Sequence, residues 1–324
     1  MDLFKPVKKG EMSVQIIDTH CDALYKLQQT RGINFQNDNA LQTNYKRLQA
    51  GNVKVQFFAI FLDPDTTSDK IWKKTLEQID LFRTEVIAKN PEMIHIKKWK
   101  QIHKLKNHEI GAVLTLEGAE SFGNDIHKLQ HLYKAGILSI GLTWNNANLC
   151  ADGVGEPRGA GLTVLGRDVV LQNNKQQVLT DVSHLSEKGF WEVIELADYP
   201  IASHSNAKKI CNHSRNLNDE QIKALIKKDA PIHLVFYPPF IKDNKQVTIS
   251  DIIEHIDHIC SLGGERNIGF GSDFDGIDQH VKDLEDASKY QHLINELLKH
   301  YSEEQVHRFA NENFTNYLKK LKLF

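Results

Sequence analysis

Read for hydrophobic and polar positions, the chain repeats one unit: a short β-branched apolar run, a polar turn, then a longer segment with helical periodicity. The apolar runs fall at residues 14–18, 53–60, 112–116, 138–143, 178–182, 200–203, 232–236 and 267–271. Eight such runs, spaced roughly 35 residues apart and alternating with helices, predict a parallel (β/α)8 TIM barrel of about 250 residues plus additions. An open, doubly wound α/β sheet is the alternative. It is disfavoured because neither a GxGxxG nor a phosphate-binding loop follows the first run. The tail, residues 302–324, reads as a helix outside the barrel core, which takes up about residues 14–300. Ser302 and Gln305 form a capping box there, and Val306, Phe309, Ala310, Phe314, Tyr317, Leu318 and Leu321 share one apolar face. That face is expected to pack against the barrel wall.

Length alone allows one large domain or two ordinary ones in 324 residues. No low-complexity tract or Pro/Gly/Ser linker divides the chain, so residues 1–324 read as a single domain. Hydrophobic residues make up 40% and charged residues 25%, enough apolar material for a large core. A formal charge of -2, with both signs interspersed, gives no reason to expect nucleic acid or an anionic membrane as partner. The opening MDLFKPVKKGEMSV has no apolar run long enough for a signal peptide, and no later segment approaches a membrane span. The expectation is a soluble, cytoplasmic protein. Cys21, Cys150, Cys211 and Cys260 are scattered without a CxxC pair, which suits a reducing compartment.

Candidate chemistry stands at the ends of the predicted strands. Run one ends in Asp18-Thr19-His20-Cys21-Asp22, run three in Leu116-Glu117-Gly118 and run five in Asp181-Val182-Ser183-His184. Run six ends in Ala202-Ser203-His204 and run eight in Gly271-Ser272-Asp273. In a parallel barrel the strand C-termini share one rim, where active sites are built. Three histidines and three carboxylates would then converge, and imidazole with carboxylate is a ligand set for zinc and similar ions. His20 and Asp22 alternate along an extended strand and can point the same way. Glu117, on another strand, can bridge two ions in a hydrolytic clamp. Each piece alone has a structural explanation: a satisfied histidine, a helix-capping Glu117, turn-forming Asp273 and Asp275. Their joint arrival on one rim is what points to chemistry.

These segments, with Ala202-Ser203-His204-Ser205-Asn206-Ala207, Arg215-Asn216-Leu217 and Gly271-Ser272-Asp273-Phe274-Asp275-Gly276, resemble the renal (membrane) dipeptidase family nearly end to end. The resemblance implies a zinc-dependent dipeptidase with two zinc ions per chain. His20 and Asp22 would bind one ion, His184 and His204 the other, and Glu117 both. Asp273 would serve as acid and base, and Arg215 would hold the terminal carboxylate of a small dipeptide, a role suited to a guanidinium fork. Tolerance for a D-residue at the C-terminal side, and β-lactam hydrolysis, are further implied possibilities.

One position departs from the family pattern. Mammalian members carry a histidine after strand four that helps polarise the substrate carbonyl; here the segment is Leu142-Thr143-Trp144-Asn145-Asn146. Indole offers one neutral N–H and cannot take up a proton. Asn145, Asn146, a backbone N–H or the metals themselves can take over that task. The loop at residues 144–167 and Tyr237, with its neighbours Phe236, Pro238 and Pro239, are expected to wall the pocket. The competing functions are a related binuclear hydrolase acting on another amide, a lactone or a phosphotriester, and a barrel whose site has decayed into a binding protein. No surface patch identifies an interface, so a homodimer rests only on how common such assemblies are.

Overall fold

The computed structural model describes residues 14–243 and 246–323. The first thirteen residues, which carry most of the expectation of a missing leader, and residue 324 of the tail lie outside the described residues. Each of the eight predicted runs forms a strand. In chain order the strands are β1 (Ile16–Asp18), β2 (Val53–Phe61), β3 (Met93–Ile96), β4 (Ile110–Glu117), β5 (Ile137–Gly141), β6 (Leu179–Asp181), β7 (Pro200–Ile201), β8 (Ile232–Leu234) and β9 (Ile268–Phe270). The paired strands are all parallel, in the order β7-β6-β5-β4-β2-β1-β9-β8. A bridge between Ala202 and Ile232 brings the two ends together, with the His233 N–H donating to Ala202 O at 2.9 Å. The result is a (β/α)8 barrel, as the sequence predicts, with helices covering its outer face.

Strand β3 escaped the sequence reading. It is four residues long with a mixed burial pattern, so neither alternation nor a continuous apolar run marks it. It pairs with the first half of β4, from Met93 opposite Ile110 to Ile96 opposite Val113; β5 takes over from Leu114.

Alternate residues of a strand share a face, and in β4 the inward set Val113, Thr115, Glu117 climbs from apolar to ionic. Near the strand starts the interior is an apolar layer that includes Ile17, Val55, Phe57, Val113, Leu179 and Ile201. The C-terminal tail completes this layer. It is helical from Glu303 to Lys320, with one wider π-helical turn at Arg308–Glu312. The Gln305 N–H donates to Ser302 Oγ at 3.3 Å and the Ser302 N–H to Gln305 Oε1 at 3.0 Å, the expected capping box. Val306, Phe309 and Ala310 pack on the outer core, whereas Phe314, Tyr317 and Leu318 join the inner layer. Phe314 meets the rings of Phe57 on β2 and His233 on β8, on distant staves of the barrel. Tyr317 donates its hydroxyl to Pro200 O at 2.7 Å. The expected packing against the wall therefore holds for the first half of the tail only. Its second half plugs the barrel floor, because the strand starts leave an apolar mouth that three large side chains can fill.

Candidate active site

The six predicted metal-site and acid/base groups meet at the opposite rim. His20 and Asp22 follow β1, Glu117 ends β4, His184 follows β6, His204 follows β7 and Asp273 follows β9. His20 Nε2 lies 3.3 Å from Asp22 Oδ2, 3.6 Å from Glu117 Oε2 and 3.7 Å from Asp273 Oδ1. The other Glu117 oxygen, Oε1, lies 2.9 Å from His184 Nε2 and 3.6 Å from His204 Nε2. Glu117 thus turns one oxygen to each of two histidine groups.

The local backbone is bent to make this meeting possible. His184 and Asp273 adopt φ of 66°, the left-handed region that residues with a Cβ rarely enter, at a cost of about 1–3 kcal/mol each. Gly276 allows the close approach of two carboxylates. A Cβ there would stand 2.3 Å from Asp22 Oδ2 and 2.8 Å from Asp273 Oδ1.

Two further carboxylates hold the strand ends together, and the sequence reading gave neither a role. Asp18 Oδ1 accepts from the backbone N–H groups of His20 (3.2 Å) and Ser272 (2.9 Å), and Oδ2 from Ser272 Oγ at 2.7 Å. Asp181 repeats the device: Oδ1 accepts from the N–H groups of Ser183 and Ser203, both at 3.0 Å, and Oδ2 from Ser203 Oγ. The available signal was position, since each is the last residue of its strand and precedes a histidine by two or three residues.

Proton positions on two imidazoles follow from their partners. An amide oxygen can only accept, so the 2.8 Å contact between His184 Nδ1 and Asn145 Oδ1 puts a proton on that Nδ1. Ser203 gives its single proton to Asp181, so across 2.7 Å it accepts from His204 Nδ1. Both Nε2 atoms therefore carry lone pairs, yet they face each other at 2.8 Å, with Glu117 Oε1 beside them. Burial holds both rings well below the ordinary histidine pKa, which keeps them neutral. The two facing lone pairs are repulsive without a cation between them, and burial pushes the Glu117 carboxyl well above the usual carboxylate range against the pull of His20. His20 Nε2 and Asp22 Oδ1 are likewise buried without a hydrogen-bond partner. Burial opposes charge on His20, but Glu117, Asp22 and Asp273 outweigh it and push its pKa up to about 10. Burial, reinforced by Asp22, pushes Asp273 up to about 7. Two trios, His20–Glu117–His204 and His20–Asp22–Asp273, bring one ligand atom from each member within 4.8 Å of the others. The donor set fits a metal ion.

The predicted substrate-binding residues are distributed less evenly. Trp144, Asn145 and Tyr237 line a cleft of about 760 Å³ that also exposes Glu117, His184 and Asp273. Trp144 lies between Phe61, which it meets edge to face, and the tilted ring of His184, at centroid distances of 5.6 and 6.1 Å. The side-chain oxygen of Asn145 is taken up by His184, so this residue orients an imidazole. Tyr237 donates its hydroxyl to Asp278 at 3.0 Å. Arg215 is buried behind the rim, where Nη2 donates to His204 O at 3.2 Å and the guanidinium lies 5.5 Å from the Phe240 ring centroid. It lines a neighbouring hollow of about 200 Å³, and His184 lines both spaces. Burial lowers the Arg215 pKa, while Asp273 and Glu117 work in the opposite direction.

A closed parallel barrel with imidazoles and carboxylates gathered at its strand C-termini defines a metal-dependent hydrolase. Residues 8–323 match the model of the membrane dipeptidase family, peptidase family M19, and the chain belongs to that family. It is 30% identical to an uncharacterized dipeptidase of Schizosaccharomyces pombe, over 95% of this chain and 81% of that one. It is also 30% identical to the dipeptidase aclJ of Aspergillus oryzae, over 79% of this chain and 64% of the relative. The fold superposes on a metallo peptidase from Rhodobacter sphaeroides with a TM-score of 0.89 at 23% identity, covering 96% and 100% of the two chains. That crystal structure holds a phosphinate mimic of the dipeptide L-Ala-D-Ala. The protein is accordingly a hydrolase of the metallo-dipeptidase type, and membership implies a metal cofactor. Among the described residues, no helix is long and apolar enough to cross a membrane.

Proposed function

We propose that this chain is a cytoplasmic, zinc-dependent dipeptidase, a single domain over residues 1–324, that uses two zinc ions to hydrolyse free dipeptides. The observation that carries the reading is Glu117, whose two oxygens face separate histidine groups. His20 and Asp22 would hold one ion, His184 and His204 the other, and Glu117 both. When bound, the ions supply Lewis-acid polarisation of the scissile carbonyl and a water whose pKa falls toward about 7.

The chain's own residues do the rest. Asp273, on the cleft wall and 3.7 Å from His20, takes the proton of the attacking water and returns it to the leaving amine. Arg215 draws the substrate's free carboxylate toward the hollow beside His184, which fixes how far the scissile bond can lie from the rim. That anchor favours dipeptides, since a longer chain would misplace its scissile bond. Trp144 and Tyr237 close the cleft against bulk water. Asn145 gives its side-chain oxygen to His184, which leaves its NH2 group on the cleft wall to polarise the scissile carbonyl. The dipeptide mimic bound by the Rhodobacter sphaeroides relative supports acceptance of a D-residue at the C-terminal side.

The test compares metal-loaded enzyme on Ala-Ala, L-Ala-D-Ala and Ala-Ala amide. Both free dipeptides should be cleaved and the amide at least about 10-fold more slowly, since it lacks the charge Arg215 would hold. Equal rates on Ala-Ala and its amide would remove the carboxylate anchor.

A further inference from the structure

The two strand-end carboxylates form nearly identical networks, and the difference between them is informative. Each aspartate accepts two backbone N–H groups on Oδ1 and a serine hydroxyl on Oδ2. On the Asp18 side the chain of contacts runs from Ser272 Oγ to a backbone oxygen, His20 O, at 3.2 Å. On the Asp181 side it runs from Ser203 Oγ to an imidazole nitrogen, His204 Nδ1, at 2.7 Å. Asp181, Ser203 and His204 are all buried, so water does not compete for these contacts.

We propose that Asp181 and Ser203 are positioning residues: through the serine hydroxyl, the Asp181 carboxylate fixes His204 as the tautomer protonated on Nδ1. The direction of the hydrogen bonds sets the tautomer. A carboxylate can only accept, so Ser203 donates to it and must accept from His204. The proton is thereby held on Nδ1, and the Nε2 lone pair is turned toward His184 and Glu117. Outer partners of this kind orient metal-binding histidines and raise their basicity. The consequence for zinc rests on the reading of His204 as a ligand; the tautomer itself does not.

An isosteric change reverses the relay. In Asp181→Asn the amide oxygen stays with the two backbone donors, Ser183 N–H and Ser203 N–H, which leaves its NH2 group facing Ser203 Oγ. Ser203 then accepts from the amide and donates to His204 Nδ1. The imidazole proton moves to Nε2, where it blocks the lone pair. Asp18→Asn makes the same chemical change in the twin network, where no imidazole follows.

The experiment records side-chain 15N resonances of the metal-free, 15N-histidine-labelled protein, alongside zinc affinity by chelator competition. The wild type should show His204 protonated on Nδ1. Asp181→Asn should show it protonated on Nε2 and bind zinc about 10- to 100-fold more weakly. Asp18→Asn should leave the His204 tautomer unchanged, and Ser203→Thr, which keeps the hydroxyl, should behave as wild type. An Nε2-protonated His204 in the wild type overturns the proposal. So does an Asp181→Asn protein with an unchanged tautomer, since both aspartates would then be strand ties only. A switched tautomer with unaltered zinc affinity upholds the relay and removes His204 from the ligand set.

Discussion

At the starts of the strands the barrel interior holds Ile17, Val55, Phe57, Val113, Leu179 and Ile201, sealed by Phe314 and Tyr317 from the tail. A few residues further along, the ends of the same strands lead to His20, Glu117, Asp181 and Ser203, held by charge-assisted hydrogen bonds with strained backbone at His184 and Asp273. The floor buries apolar surface, which stabilises by about 25 cal/mol per Å² and demands no fixed angles. The rim gathers like charges and lone pairs, which costs stability until a cation arrives. Stability and chemistry are thus divided along the strand direction, and substitutions at either end should separate cleanly.

The largest effect is expected at the rim. Asp273→Asn should cut kcat by about 10²- to 10⁴-fold while bound metal, counted by atomic emission, stays at the wild-type level. Near-normal turnover in this variant would take Asp273 out of the reaction. At the floor, Phe314→Ala should cost about 3–5 kcal/mol in a denaturant titration, because Phe57, Trp99 and His233 all lose a ring partner. Well below its melting temperature its KM should match wild type; a changed KM would mean that floor and rim are coupled.

Much of the rim was legible in the chain because strand-final residues of a parallel barrel share one end, whatever their separation in sequence. That logic located His20, Asp22, Glu117, His184, His204 and Asp273 without any contact information. It could not aim side chains in loops. Asn145 lines the cleft as expected but also orients His184 through its oxygen, and Arg215 sits behind the rim instead of in the main cleft wall. Asp18 and Asp181 were visible as strand-final acids, but their partners Ser272 and Ser203 lie 254 and 22 residues away, beyond any local pattern. The floor was half legible. The periodicity of the tail fixed its apolar face, whereas the surface that face covers depends on the closed end of a barrel. Strand β3 mixes buried and half-buried positions, so neither an apolar run nor an alternation marks it.

A smaller effect sharpens the role of Arg215. Arg215→Ala should raise KM for Ala-Ala about 10- to 100-fold with kcat altered less, as expected when a charged hydrogen bond contributes about 1.5–3 kcal/mol to binding. A pure fall in kcat would instead make Arg215 a support of the His204 carbonyl, which it also touches.

The smallest effect lies away from the rim. Burial lowers the pKa of His255 to about 4, and both ring nitrogens are engaged: Nδ1 accepts from the Ala207 N–H and Nε2 donates to Ile241 O. With the folded pKa depressed below the unfolded value of about 6.5, the unfolded chain takes up a proton first as pH falls. Stability should therefore decline from about pH 6.5 down to about 4 and level off below. Between pH 7 and 5 this single group accounts for about 2 kcal/mol. His255→Gln should lose less stability over that interval than wild type; an identical pH dependence would show that another group dominates.

The most direct test of the account is to strip the protein of metal and return zinc stepwise, counting bound ions and Ala-Ala hydrolysis in the same samples. The account predicts turnover that rises as occupancy approaches two ions per chain and is absent from the stripped protein. Full activity at one ion per chain would contradict the bridging role of Glu117. Two bound ions without dipeptide hydrolysis would keep the metal centre and contradict the assigned substrate.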